Sequence, residues 1–318
     1  MTSIKTKEQL ETLGQALTDK KDLAKAFEIV EQLSVEDLEQ TISISYGYGS
    51  SKEQTPIEIA FQTDTYDLVG FMLNKGVSAS GTAGKMFYVL MEKDTIDHKA
   101  RFSLATQLVP YLSNEKAIFN LCSEYGYATA VPKTSTVIPL NRALIEKNMD
   151  FMQLLLDLGA NPLTTQPTQP SPLYIALATD DFAAAKILMS YSCPFEAAKK
   201  GQTTEFLALV ASASPEQLMK EQPGTRANLM MVAAASPGDS LAMVRALFQR
   251  TRHDEALYKA LTQHEDGIGH NVVSYALMAG NHILANILEM AQSTSAYEDI
   301  QAKTHQMVLK AAKYMNSK

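Results

Sequence analysis

The sequence returns on itself at a fixed interval: Pro139 and Pro172, Ala143 and Ala176, and Leu155 and Leu188 each stand 33 residues apart. A period of this length marks an array of small helical units, each burying its apolar face against its neighbours, so that no single central core limits the chain. Within a unit, proline opens a short helix, because its fixed φ suits the first helical position and its missing N–H is not needed there. An apolar residue follows, and alanine stands four positions after the proline, small enough for a second helix to approach closely. In the unit "NRALIEKNMDFMQLLLDLGANP" that second helix carries Phe151, Met152, Leu154, Leu155, Leu156 and Leu158. Such a face is too wide for a surface helix and suits burial between neighbours. Gly159 is placed to end it, since a helix C-terminus commonly needs a left-handed residue and glycine adopts that conformation without a Cβ clash.

The same template fits Thr55-Pro56-Ile57-Glu58-Ile59-Ala60, which leads to Val69, Met72, Leu73 and Gly76. It also fits Asn271-Val272-Val273-Ser274-Tyr275-Ala276, which leads through Gly280-Asn281-His282 to Ala285, Ile287 and Leu288. Degenerate copies are expected at Lys85 to Leu112, Thr203 to Lys220 and Asn228 to Gln249. Lys7 to Gln40 predicts two or three amphipathic helices, with Leu10, Leu13 and Leu17 on one face and Leu23, Phe27, Val30 and Leu33 on another. Asp254 to His264 predicts an extra helix before the last clear unit, and Tyr297 to Tyr314 another at the C-terminal end. Tyr46 to Ser51 reads as a loop.

This pattern resembles the ankyrin repeat, whose units read TPLHxA, a helical turn, V-x-LLL, and GAD or GAN before a hairpin-like loop. The resemblance runs from about Glu53 to Met290. It implies an all-α fold: an ankyrin-repeat solenoid of roughly seven or eight stacked helix-turn-helix units with short hairpin loops and modified helical ends. The chain then divides into an N-terminal helical cap (1-50), ankyrin-like repeats (51-290, degenerate at 81-136 and 201-266) and a C-terminal capping helix (291-318). The histidine of the family's opening motif is replaced by Glu58, Asn141, Tyr174 and Ser274, so its hydrogen bond to the threonine hydroxyl is absent or remade.

The family's ligand-facing positions lie two residues before the opening proline and six and seven after it. Carried over, they are Gln54, Gln62 and Thr63, then Val137, Ile145 and Glu146, then Pro170, Ala178 and Thr179, and finally His270, Met278 and Ala279. The resemblance therefore implies a noncatalytic scaffold that binds a partner protein through a concave face, with specificity set by exposed side chains. Degenerate arrays of this kind are similar to those that intracellular bacteria deliver into host cells. That similarity implies an effector role in virulence and a cytoplasmic location, including the cytoplasm of a host cell, and such an array also suits a eukaryotic regulator or an ordinary bacterial cytosolic protein.

Composition narrows the alternatives. With 46% hydrophobic and 20% charged residues the chain is ordinary for a globular protein. No apolar run approaches the roughly 18 residues that suggest a transmembrane helix, so membrane insertion is not expected. The N-terminus, with Lys5, Lys7, Glu8 and Glu11, does not read as a secretory signal. Cys122 and Cys193 share no CxxC spacing, which disfavours a disulfide framework or a zinc site and suits a reducing compartment. A formal net charge of -7 without a Lys/Arg stripe disfavours nucleic acid, and Arg245, Arg250 and Arg252 read as a solvated helix end.

Three motifs compete with the scaffold reading. Gly81-Thr82-Ala83-Gly84-Lys85-Met86 resembles a phosphate loop, but its first required glycine falls on Ala79 and its Ser/Thr on Met86. His264, Glu265, Asp266, His270 and His282 could be imagined as a metal or acid–base group, yet Asp266-Gly267 falls at a hairpin tip and His282 at a helix start, and no HExxH spacing is present. Neither cysteine has a histidine near it in sequence to act as a base. No catalytic residue, metal or cofactor is therefore expected. The rival from another class is an enzyme or modifier with its site in the irregular segments 86-132 or 251-270.

Overall fold

The computed structural model describes residues 4–18, 22–45, 51–112, 119, 122–123 and 136–293. The expected helix Tyr297 to Tyr314 and most of the Tyr46 to Ser51 loop lie outside the described residues. The chain divides into two compact units, 1–160 and 161–318, and both are mainly helical.

Unit 1 begins with α1 (Ile4–Thr18), α2 (Leu23–Gln32) and α3 (Val35–Leu38). A hairpin of β1 (Ile42–Ser45) and β2 (Ser51–Gln54) follows, with Ile42 opposite Gln54. Then come α4 (Pro56–Gln62), α5 (Tyr66–Lys75), α6 (Ala83–Glu92) and α7 (His98–Leu108). Two short strands, β3 (Cys122–Ser123) and β4 (Thr136–Val137), pair antiparallel before α8 (Pro139–Ile145) and α9 (Met149–Asp157). Leu10, Leu13, Leu17, Val30 and Leu33 are buried as their spacing requires, but Leu23 is exposed. It occupies the first turn of α2, before that helix meets α1. Phe27 stacks on Phe71 with ring centroids 5.5 Å apart, and Phe102 on Phe151 at 4.7 Å.

Unit 2 holds α10 (Pro172–Ala178), α11 (Phe182–Ser190), α12 (Pro194–Lys199), α13 (Thr203–Ser212) and α14 (Pro215–Leu218). It continues with α15 (Leu229–Ala234), α16 (Ser240–Arg250), α17 (Glu255–Thr262), α18 (Val272–Met278) and α19 (His282–Ser293). The short first helices α12, α15 and α18 pack in a row, and α13 packs on α16. The inserted helix α17 packs on α15 and α19.

One joint recurs in four helix pairs. Asp64, Lys147, Asp180 and Gly280, each eight residues after its first helix begins, take the left-handed conformation. The amide of the next residue, Thr65, Asn148, Asp181 or Asn281, then reaches the carbonyl of Ala60, Ala143, Ala176 or Ala276 at 2.8–2.9 Å. All four alanines are buried, so small side chains stand where the two helices cross. Asn148, Asp181 and Asn281 also cap their second helices, accepting the amides of Phe151, Ala184 and Leu284. This is the usual solution for the unpaired donors at a helix N-terminus. The local pattern is thus hairpin, short helix, left-handed turn and longer helix. In unit 2 the hairpin contracts to single bridges, Gln166 with Gln169 and Glu221 with Asn228.

Two departures from the expected units have local causes. The copy read as Thr203 to Lys220 begins earlier, because α12 is the first helix of its pair, and α14 is an added turn. The helix expected from Lys85 starts at Ala83, two residues after the left-handed Gly81. Neighbouring joints also touch in unit 2. Ser236 donates to the Ala198 carbonyl at 2.7 Å, and the Asp239 amide donates to the Thr203 hydroxyl at 3.1 Å. There the backbones approach so closely that a Cβ on Gly201 would lie 2.8 Å from the Gly238 nitrogen, and one on Gly238 would overlap the Gly201 carbonyl.

Candidate partner-binding face

The residues six and seven positions after each opening residue share one structural place. Gln62, Ile145, Ala178 and Met278 are the last residues of α4, α8, α10 and α18, and Thr63, Glu146, Thr179 and Ala279 follow as C-caps. Each stands just before the left-handed turn, where its helix has no further turn to shelter it. Ile145 is 67% exposed and Met278 61%. Gln62, Ala178, Thr179 and Ala279 are exposed, and Thr63 is half-buried. The residues two positions before the helices differ more: Pro170 is exposed, Val137 and His270 are half-buried, and Gln54 is buried at 1%.

Gln54 departs from the expectation because antiparallel partners point to the same face of a hairpin. Its partner is the buried Ile42, so the glutamine turns inward as well. Glu146 departs for an electrostatic reason. Its side chain is 5% exposed and is gripped by Arg101, by His98 at 2.7 Å and by Arg142 at 2.5 Å. Arg101 is itself fully buried, and it donates to the carbonyls of Lys93 and Ile96 at 2.5 and 3.0 Å. Arg142 also meets Asp94 at 2.6 Å, and Lys93 meets Asp64 at 3.1 Å. The loop between α6 and α7 is therefore tied by charge to the C-terminal ends of α4 and α8. Burial opposes ionisation of Glu146, but hydrogen bonds from His98 and Arg101 and the charges of Arg101 and Arg142 outweigh it. Its carboxyl is held below the usual range.

In unit 2 the polar groups near this face also hold loops. The Glu196 carboxylate accepts from Asn161 at 2.6 Å and Lys200 at 2.7 Å. Lys200 and Gln202 both reach the Leu163 carbonyl. At the tip before α18, Asp266 is buried and accepts the amides of Ile268 and His270 and the hydroxyl of Tyr275, all at 2.9 Å. Burial alone would raise its pKa, but these bonds and the nearby His270 lower it. Tyr275 moves the other way, through burial and its bond to Asp266. His264 contacts the Arg226 carbonyl at 2.7 Å, and His282 is exposed on the first turn of α19. Among the described residues no cluster of His, Cys, Asp and Glu has the geometry of a metal site, and no helix is long and apolar enough to cross a membrane. Cys193 is an exposed free thiol. Met278 and Ala279 are exposed, and α17 packs on α15 and α19.

Sequence reasoning missed Arg101, the most deeply buried cation described. It stands in a mixed helix, two residues after Lys99 and next to Phe102, and its partner Glu146 lies 45 residues away in sequence.

No protein-family model matches the chain, and no curated protein matches it. Among solved structures, the crystal structure of the Legionella pneumophila effector AnkC is similar over 97% of this chain and 92% of that chain, with 14% identity and a TM-score of 0.33. A likeness of that size assigns neither fold family nor role to this chain.

Proposed function

We propose that this chain is a degenerate ankyrin-type array acting as a noncatalytic scaffold that binds a partner protein. In this reading residues 1–50 cap the array, 51–290 form the repeats and 291–318 cap the other end. The observation that carries it is the placement of Ile145 and Met278: large apolar side chains, mostly exposed, at the same point of two rigid helix pairs. Apolar groups held outward on a preorganised backbone lose little entropy on binding and gain by leaving water. In the first unit Gln62, Thr63 and Val137 accompany Ile145 as partner-binding positions, with Gln54 and the Glu146 side chain buried; in the second Pro170, Ala178, Thr179, His270 and Ala279 accompany Met278. The rival reading is an enzyme or modifier with its site in segments 86–132 or 251–270, where the described polar residues of 93–101 and 264–270 bond within and between loops. We place the protein in a cytoplasm, that of a host cell included, on the sequence resemblance alone.

The test is affinity capture from host-type and bacterial lysates with the wild type and an Ile145→Asp/Met278→Asp variant, alongside thermal melts. Partner loss with an unchanged melt is expected. Retention of the same partners by the variant overturns the assignment of this face.

A further inference from the structure

Unit 1 holds a cleft that the partner-binding face does not use. It lies between α1 and the β1–β2 hairpin, with a volume of about 640 Å³, within the range of ligand-binding clefts. One wall is a single face of α1, where Lys7, Glu11, Gln15 and Thr18 follow one another at helical spacing and are exposed. The floor is apolar and tight, because Gly14 has no side chain and lets Ile42 approach: a Cβ on Gly14 would lie 3.4 Å from the Ile42 Cγ2. The other wall is β1. Thr41, Ile42 and Ser43 all line the cleft, and successive side chains of a strand point to opposite faces, so the cleft runs along the strand's edge. That edge is open. Among the described residues β1 pairs with β2 alone, and Thr41, Ile42 and Ser43 make no backbone–backbone bond outside that ladder.

The chemistry of the lining selects an occupant. Glu11 and Glu53 supply two carboxylates and Lys7 one ammonium, and none of the three forms an ion pair with another described residue. The excess of negative charge repels phosphate, and no aromatic ring lines the cleft to stack on a base. What remains is a row of backbone N–H and C=O groups on one side and amide, hydroxyl and charged side chains on the other. An extended polypeptide satisfies both. From Lys7 to Thr18 the helical wall is about 16 Å long, the length of roughly five extended residues. We propose that the cleft binds an extended segment of a partner polypeptide, which pairs with the open edge of β1 as a third strand and sets a lysine or arginine against Glu11 and Glu53. This site shares no residue with the face of Ile145 and Met278, and it does not rest on that reading.

The probe is a phage-displayed library of random seven-residue peptides, panned on the full-length chain, with enriched sequences synthesised and titrated by fluorescence anisotropy. Enriched peptides should carry a lysine or arginine, and the double variant Glu11→Lys/Glu53→Lys should weaken them about tenfold. Gln15→Trp, which fills the cleft, should abolish measurable binding. Both variants change exposed side chains and should melt as the wild type does; where Gln15→Trp lowers the melt, the charge-reversed pair and the methylated peptides decide. Glu8→Lys, exposed on α1 but outside the cleft, should bind as the wild type does. Strand pairing has its own signature, because a strand turns alternate N–H groups toward its neighbour. N-methylation of one alternating set of peptide amides should abolish binding, and of the other set should spare it. No enrichment, binding unmoved by both cleft variants, or an equal response to the two methylated sets would each overturn the proposal.

Discussion

Single residues close the first turns of the short helices in different ways. Glu58 accepts the Thr55 amide at 2.9 Å, closing a capping box. Ser171 caps α10 and donates to the buried Glu205 at 2.5 Å, linking a first helix to the next pair's second helix. Ser274 turns back to Asn271 at 3.3 Å. The first turns of these helices are thus closed by different local bonds, while the left-handed joint after them stays the same. Gly159 is a cleaner case. Its φ is +92° and nothing lies within 4 Å of the point a Cβ would occupy, so only the backbone resists substitution. Gly159→Val should cost roughly 1–2 kcal/mol, measured by chemical denaturation. A variant as stable as the wild type would remove the reason for glycine at this C-cap.

At the scale of elements, the legible features were those fixed by near-neighbour chemistry. Proline at a first turn and alanine four residues on mark α4, α8 and α10, the alanine alone marks α18, and a closing glycine marks the ends of α5 and α9. The helix α12 was missed although Pro194 and Ala198 repeat the signal, because its opening comes 22 residues after Pro172 and breaks the 33-residue interval. No hairpin separates α11 from α12, so the unit is shortened where the period was expected to hold. The buried alanines give the sharpest test of the crossings. Ala143→Leu, Ala176→Leu and Ala276→Leu should each destabilise by roughly 1–3 kcal/mol through overpacking. Melts unchanged in all three would mean that the helices do not meet there.

For the whole molecule, the lesson is that exposure could be read from helix-end position but not from distant charge. Ile145 and Met278 lie outward because their helices end there; Glu146, the neighbour of Ile145, is covered because Arg101 and His98 arrive from another part of the sequence. The same buried charge sets the response to acid. Glu146, Glu196 and Asp266 have folded pKa values below their ordinary ones, so the unfolded chain binds protons first as pH falls. Their stabilisation is fully present above the ordinary carboxylate pKa and is lost as pH drops through the lowered folded values. The melting midpoint should therefore hold from neutrality to about pH 5 and then decline. Glu146→Gln should lower the neutral plateau, by roughly 3 kcal/mol for a broken buried pair, and flatten the acid decline. A steeper decline in that variant would contradict the assignment.

The close approach of Gly201 and Gly238 has a consequence for how this chain can vary. Where side chains meet, as at Asn161 and Glu196, a change on one partner can be compensated by a change on the other, and the two positions can drift together. At Gly201 and Gly238 the obstacle to any added side chain is main chain, which every amino acid possesses. No replacement at one glycine makes room for a replacement at the other, so in a library of functional variants both should stay invariant without covarying, a pairing in space that coevolution cannot register.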